Sequence, residues 1–199
     1  DLYRFSNGVQ IGFKAQAFTD LFIIAQDTNY STTQSAFSGA GAISLAWPLL
    51  AQNRSNQSII IEPVVQFEYA SQRDFSLPNE ESLYAEFDEA NLFELSRFPA
   101  PDRREVGFRA ATGLKFVSQT HDNANVSAAI GQIYREKSEP DFSGSSGLQS
   151  QTSDLLSGGE VETQCGFSVL GCSLLTPNGR SSHAEGLVSL RLKRFELAA

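Results

Sequence analysis

Methionine is absent from this chain, which opens on Asp1 and carries one tryptophan, two histidines and two cysteines. The missing initiator leads to the expectation of a fragment, or of a mature chain without its leader. No apolar run approaches the about 20 residues of a membrane helix. The nearest, AISLAWPLLA at 42–51, is short and broken by Pro48. Any membrane crossing must therefore be made by a closed barrel of strands. Charge is also scarce: charged residues make up 19 %, below the about 25 % of soluble domains. The net charge of −8 excludes the basic surface a nucleic-acid partner would need.

The usual carriers of chemistry are sparse too. Cys165 and Cys172 are seven apart, so a continuous strand would put them on opposite faces. They form no CxxC and have no histidine nearby, so they read as small apolar strand residues and not as a metal or redox pair. His121 falls in a polar turn and His183 near a strand start. Ser146 and Ser153 lie outside any G-x-S-x-G elbow, and the glycines at 144 and 147 are followed by no lysine and no helix. No catalytic constellation, metal site or cofactor is expected, and the chain does not read as an enzyme.

What is present is alternation. Hydrophobic residues make up 41 % and aromatics 11 %, with fifteen phenylalanines, a mix that excludes disorder. Ile11, Phe13, Ala15 and Ala17 oppose Gln10, Gly12, Lys14 and Gln16 after an Asn7-Gly8 turn dipeptide. The same period of two recurs near 42–47, 61–69, 106–116, 126–135 and 184–193, with shorter strands expected at 160–164 and 167–175. Pro63 interrupts one of them, where it cannot donate to a ladder. No stretch keeps a helical period, and no linker or repeat is visible. The chain reads as an all-β antiparallel meander of nine or ten strands, each near the length that crosses a membrane at a tilt.

Alternation alone fits two architectures. In a soluble β-sandwich, such as a carbohydrate-binding module, the apolar face packs a second sheet. In an outer-membrane barrel it meets lipid. The connections favour the barrel. The two longest, 71–104 and 136–157, fall on the same side of the meander, and mostly shorter turns fall on the other, although 48–58 is long for a turn.

The segment 71–104 is too charged for a core and too rich in Phe and Leu for a slack linker. Its acidic set, Glu80, Glu81, Glu86, Asp88 and Glu89, could suggest paired glycosidase carboxylates or a calcium site. It lacks a nearby tryptophan platform for the first and the EF-hand spacing for the second. The favoured reading is ion pairing, with Arg97, Arg103 and Arg104 available to Asp88, Glu89 and Asp102. Phe87, Leu92, Phe93 and Phe98 would form a small apolar cluster, and the charges would tie the loop down over or into a lumen. The residues expected to structure the loop are Asp88, Asn91, Phe93, Arg97, Phe98, Asp102 and Arg103.

The runs NEES (79–82), EFDEANLFELSRF (86–98) and DRREVGFRAATGLKF (102–116) resemble the LPS-assembly outer-membrane family LptD, the organic-solvent-tolerance family. Glu62-Pro63 supplies the family's EP strand element, and Phe87, Asp88, Asn91, Leu92 and Phe93 its F-D-x-x-N-L-F. Arg97, Phe98, Asp102, Arg103 and Gly107 supply the R-F element, the D-R pair and the glycine that opens the next strand. GQIYRE (131–136), SSGL (145–148), Ser153-Asp154 and SHAEGLVSLRLKRFEL (182–197) extend the similarity to most of the chain beyond 42. Pro99-Ala100-Pro101 departs from the step the family usually shows before its D-R pair.

The resemblance implies part of a large outer-membrane β-barrel with long external loops, which delivers lipopolysaccharide to the outer leaflet. Residues 1–199 would be a partial barrel domain, without the periplasmic jellyroll and the remaining strands. The partners it implies are lipopolysaccharide, a lipoprotein plug, a periplasmic lipopolysaccharide bridge acting through the jellyroll, and membrane lipid. The location it implies is the cell outer membrane. Another porin or receptor barrel is the alternative within the same architecture.

Overall fold

A computed structural model describes residues 2–25, 29–52, 57–71, 77, 81–120, 124–164, 166–192 and 195–198. All its strands join one antiparallel sheet. In chain order they are β1 (Leu2–Arg4), β2 (Gln10–Ile23), β3 (Thr33–Ala46), β4 (Leu49–Gln52), β5 (Ser58–Ala70), β6 (Gly107–Gln119), β7 (Asn125–Arg135), β8 (Leu155–Glu162), β9 (Phe167–Leu175), β10 (Ser181–Leu192) and β11 (Phe195–Ala198). Each strand pairs with the next, except that β3 and β4 both pair with β5. Among the described residues no helix is long and apolar enough to cross a membrane.

The β3–β4 line corrects one expectation. Ala46 lies opposite Val64 and Leu49 opposite Ile61, which is one uninterrupted register. Pro48 therefore pauses the strand and does not end it. Trp47 N bonds Pro63 O at 3.1 Å across the pause. What read as a long connection at 48–58 shrinks to 53–57. The strand also begins earlier than its apolar alternation suggested, taking in the polar residues from Thr33.

With those bounds every long connection falls at one end, although 176–180 at that end is as short as the turns at the other. One end of the sheet carries 5–9, 53–57, 120–124, 163–166 and 193–194. The other carries 24–32, 71–106, 136–154 and 176–180. At the short-turn end Gly8 sits at φ +89°, a conformation open to glycine at no steric cost.

The two faces differ in kind. One presents Leu21, Phe37, Ile43, Leu45, Ile61, Phe67, Leu114 and Ile130, which no other element covers among the described residues; Phe37 is 75 % exposed and Phe67 57 %. Aromatic side chains gather on this bare face at both ends. Tyr69, Phe108 and Tyr134 stand at the long-loop end, with the first two rings 4.7 Å apart. Tyr3, Phe5 and Trp47 stand at the short-turn end. The opposite face carries Gln10, Lys14, Ser38, Gln66, Glu68, Arg109 and Arg135, together with several glycines, and is covered by the two long loops. A sandwich would need a second sheet over the apolar face, and among the described residues every strand belongs to the one sheet. The single sheet with an uncovered apolar face favours the barrel over the soluble sandwich.

β2, β3, β5 and β6 run to 13 or 14 residues, long enough to cross a bilayer at a tilt. Leu114 lies mid-strand on the bare face, between Pro63 and Ile130. Leu114→Arg in the full-length protein is expected to lower stability by about 2–4 kcal/mol, the cost of a cation at mid-bilayer. Lys115→Arg, on the other face, should change it little. Denaturant titration in lipid vesicles checks both.

Candidate functional site

The site is the seat of the loop 71–106 on the covered face. It begins with a turn. Asp88 Oδ1 accepts the Asn91 amide at 2.9 Å, and Asn91 Oδ1 accepts the Asp88 amide at 3.3 Å. Asn91 Nδ2 donates to Glu86 O at 2.9 Å. The short side chains close the turn locally, as Asp and Asn do where they compete with regular structure. That closure aims Leu92 and Phe93 at the sheet.

The sheet is hollowed to receive them. Gly113 and Gly131 face each other across β6 and β7. A Cβ at Gly113 would lie 3.0 Å from both Leu92 Cδ2 and Phe93 Cζ, and one at Gly131 would meet Leu92 closer still. Gly158 on β8 makes similar room for the Glu89 carboxylate. The carbonyl of Phe93 then accepts Gln66 Nε2 at 2.9 Å from β5 and Lys14 Nζ at 3.0 Å from β2. Phe87, Leu92, Phe93 and Phe98 join Val64, Ala111, Ile133, Leu156 and Leu174 of the strands in one apolar cluster. Burying each such side chain is worth about 1.5–3 kcal/mol.

Beside the cluster lies a buried set of charges. Arg97 forks onto Glu68, with Nη2 to Oε1 at 3.1 Å and Nη1 to Oε2 at 3.2 Å. Its Nη1 also reaches Glu105 Oε1 at 3.0 Å, and its Nη2 caps Leu92 O at 2.8 Å. Arg109 Nε donates to Glu68 Oε2 at 3.0 Å, and Arg135 Nε to Glu105 Oε2 at 2.9 Å. All five side chains are nearly sealed from solvent. Burial alone would raise the Glu105 carboxyl. The fields of Arg97, Arg135 and Arg109 outweigh it and hold the pKa down at about 2. Burial likewise pulls the Arg97 guanidinium down, and Glu105 and Glu68 raise it above its ordinary value.

These partners are not the ones expected from sequence. Arg97 bonds Glu68 and Glu105, not Asp88 or Glu89. Arg104 pairs with Asp20 of β2 at 2.5 Å and lies 3.8 Å over the Phe18 ring. Arg103 pairs with Asp141 of the second loop at 2.9 Å and donates to the carbonyls of Leu77 and Asp102. Asp102 accepts the Ser82 hydroxyl and the Glu81 amide. Carboxylates close in sequence serve local turns, and those that meet the arginines come from the sheet, from the far end of the loop and from the second loop. Sequence reasoning missed Glu68 and Glu105. The available signal was that Glu68, Arg109 and Arg135 all fall on polar faces at the same end of neighbouring strands.

The second loop, 136–154, locks against the first. Phe142 stacks on Phe98 with centroids 4.1 Å apart and planes 8° from parallel. Ser153 accepts the Ile133 amide and donates to Asp154 O, and Ser146 closes a turn onto Ser143 O. Between the loops and β9–β10 lies a cavity of about 530 Å³, with an apolar floor of Leu170, Cys172 and Leu174 and acidic groups at Glu89 and Glu185. The Cys172 thiol is free. Cys165 and His121 lie outside the described residues. His183 Nε2 sits 2.6 Å from Glu185 Oε1.

Two variants separate the buried set from the surface pair. Arg97→Ala removes the fork and the Leu92 carbonyl cap, and is expected to weaken the seated loop by about 3 kcal/mol. Glu94→Ala breaks only the half-exposed pair with Lys14, worth under about 1 kcal/mol. Native-state hydrogen exchange of loop amides distinguishes them. The pH dependence has a fixed sign: a depressed carboxyl pKa stabilises above its ordinary value of 4.5 and loses that stabilisation as pH falls toward 2. Loop protection, corrected for intrinsic exchange, should stay level from about pH 7 to 5 and fall below about 4.5. Glu105→Gln should remove most of that fall.

A search of curated proteins gives no match. The family model described as LPS transport system D, LptD, matches residues 10–185, which takes in most of the bare face, the seat and both long loops. The chain belongs to the LptD family, whose role is lipopolysaccharide transport to the outer membrane.

Proposed function

We propose that this chain is a section of the wall of the outer-membrane barrel that delivers lipopolysaccharide to the outer leaflet. In this reading the bare face meets membrane lipid and the covered face lines the lumen. Residues 71–106 and 136–154 are the external loops, turned inward against the wall. The observation that carries the proposal is a single sheet with one uncovered apolar face and all its long connections at one end. A barrel that sits in lipid needs both features. The partial-barrel assignment of residues 1–199 and the loop-structuring role of Asp88, Asn91, Phe93, Arg97, Phe98, Asp102 and Arg103 belong to the same proposal.

Two polypeptide partners fit this role. A lipoprotein plug would fill lumen that the loops leave open. A periplasmic lipopolysaccharide bridge would act through a jellyroll domain. The role is that of a conduit and asks for no reacting group, in keeping with a site built from buried ion pairs and apolar contacts.

Replacing 79–97 by a short Gly-Ser linker in the full-length protein is the test. Surface lipopolysaccharide should fall and the barrier to hydrophobic antibiotics should fail, with the barrel still inserted. Full surface lipopolysaccharide with an intact barrier would sink the proposal.

A further inference from the structure

Glu68, Arg109 and Arg135 occupy one row across three neighbouring strands: Glu68 lies opposite Arg109, and Arg109 opposite Arg135. The row therefore contains two like charges directly across a ladder, an arrangement that destabilises pairing. The backbone bonding sharpens this. Glu136 N donates to Phe108 O at 3.1 Å, and Arg135 N turns away to Gln151 O at 2.7 Å. Arg109 and Arg135 are thus a non-hydrogen-bonded pair, the kind in which facing side chains come closest. Both are buried, and Nη1 of each has no hydrogen-bond partner among the described residues.

The group that offsets this repulsion comes from neither strand. Glu105 stands two residues before β6, where Gly107 at φ +80° lets the chain turn from the loop into the ladder. Glu105 Oε2 receives Arg135 Nε at 2.9 Å and lies 3.7 Å from Arg109 Nε. Its other oxygen, Oε1, takes the Arg97 backbone amide at 3.1 Å and Nη1 at 3.0 Å. One carboxylate thus joins the two wall arginines on one oxygen and the loop on the other. With it in place the set holds three guanidiniums against two carboxylates. Without it, Glu68 would be the set's one carboxylate, with Glu139 as a further acidic group acting on Arg135 and Arg109.

We infer that Glu105 is a clasp that couples the seating of the loop to closure of the seam between β6 and β7 at the long-loop end. When the loop is seated, the carboxylate is held over the arginine pair and the ladder stays zipped to its last residues. When the loop lifts and draws Glu105 away, the paired guanidiniums repel and the strand ends part. The clasp follows from the geometry of the row and does not require the transport reading.

Hydrogen exchange on the full-length protein in detergent micelles tests it. In Glu105→Gln, amides at 107–112 and 132–136 should exchange about tenfold faster or more, together with loop amides at 92–98. Adding Arg135→Gln removes the like charge and should return the ladder amides, but not the loop amides, toward wild-type rates. Arg97→Ala, which weakens the loop's hold on Glu105, should speed exchange in the loop and, to a smaller extent than Glu105→Gln, in the same ladder amides; a loosened loop with an unchanged ladder would count against the coupling. Ladder exchange unchanged in Glu105→Gln would overturn the inference, as would a double variant as open as the single one. If Glu105→Gln does not accumulate, accumulation of Glu105→Gln/Arg135→Gln decides: recovery supports the clasp, and no recovery refutes it.

Discussion

The structure turns on a dry set of charges shared between the sheet and a loop. Taking five charged groups out of water is costly, and only close geometry with filled hydrogen-bond capacity offsets that cost. Here the geometry exists only when three strands and a loop are all in register. Glu68 needs Arg97 from the loop and Arg109 from β6, and Glu105 needs Arg97 and Arg135. The set is therefore weak evidence of stability and stronger evidence of a unique arrangement. A one-residue slip of β6 would move Arg109 to the bare face.

Apolar packing supports the same arrangement by different means. The loop contributes Phe87, Leu92, Phe93 and Phe98, and the second loop contributes Phe142 and Leu148 to the same cluster. Steric fit at Gly113 and Gly131 selects where Leu92 can lie, and the Asp88–Asn91 turn selects how it is presented. Family membership adds the biological direction, lipopolysaccharide transport to the outer membrane, to what is otherwise a description of a sheet and the loops seated on it.

Much of the fold was legible in the sequence because period two is a local signal. Val65, Phe67 and Tyr69 declare one face and Gln66 and Glu68 the other without knowledge of any neighbour. The strand interrupted by Pro48 was harder to read. A proline removes a donor, yet it leaves register intact if the partner strand continues, as it does from Val64 to Ile61. The apolar cluster of the loop was legible from its Phe and Leu content. The ion-pair partners were not. Choosing among carboxylates requires knowing which rows of the sheet align, and row alignment follows from loop lengths and turn geometry, not from composition. Asp88 and Glu89 were the near candidates, and Asp88 was already engaged by Asn91.

The recess formed by Gly113, Gly131 and Gly158 has a consequence for bore. Strand number sets the diameter of a closed barrel, and anything folded inward subtracts from the cross-section. Where the wall carries glycine, the loop backbone can approach by roughly the depth of a side chain. In the proposed barrel the inward loop therefore takes a thinner slice of the enclosed area than its length suggests, and the clearance left for cargo depends as much on three missing side chains as on the number of strands.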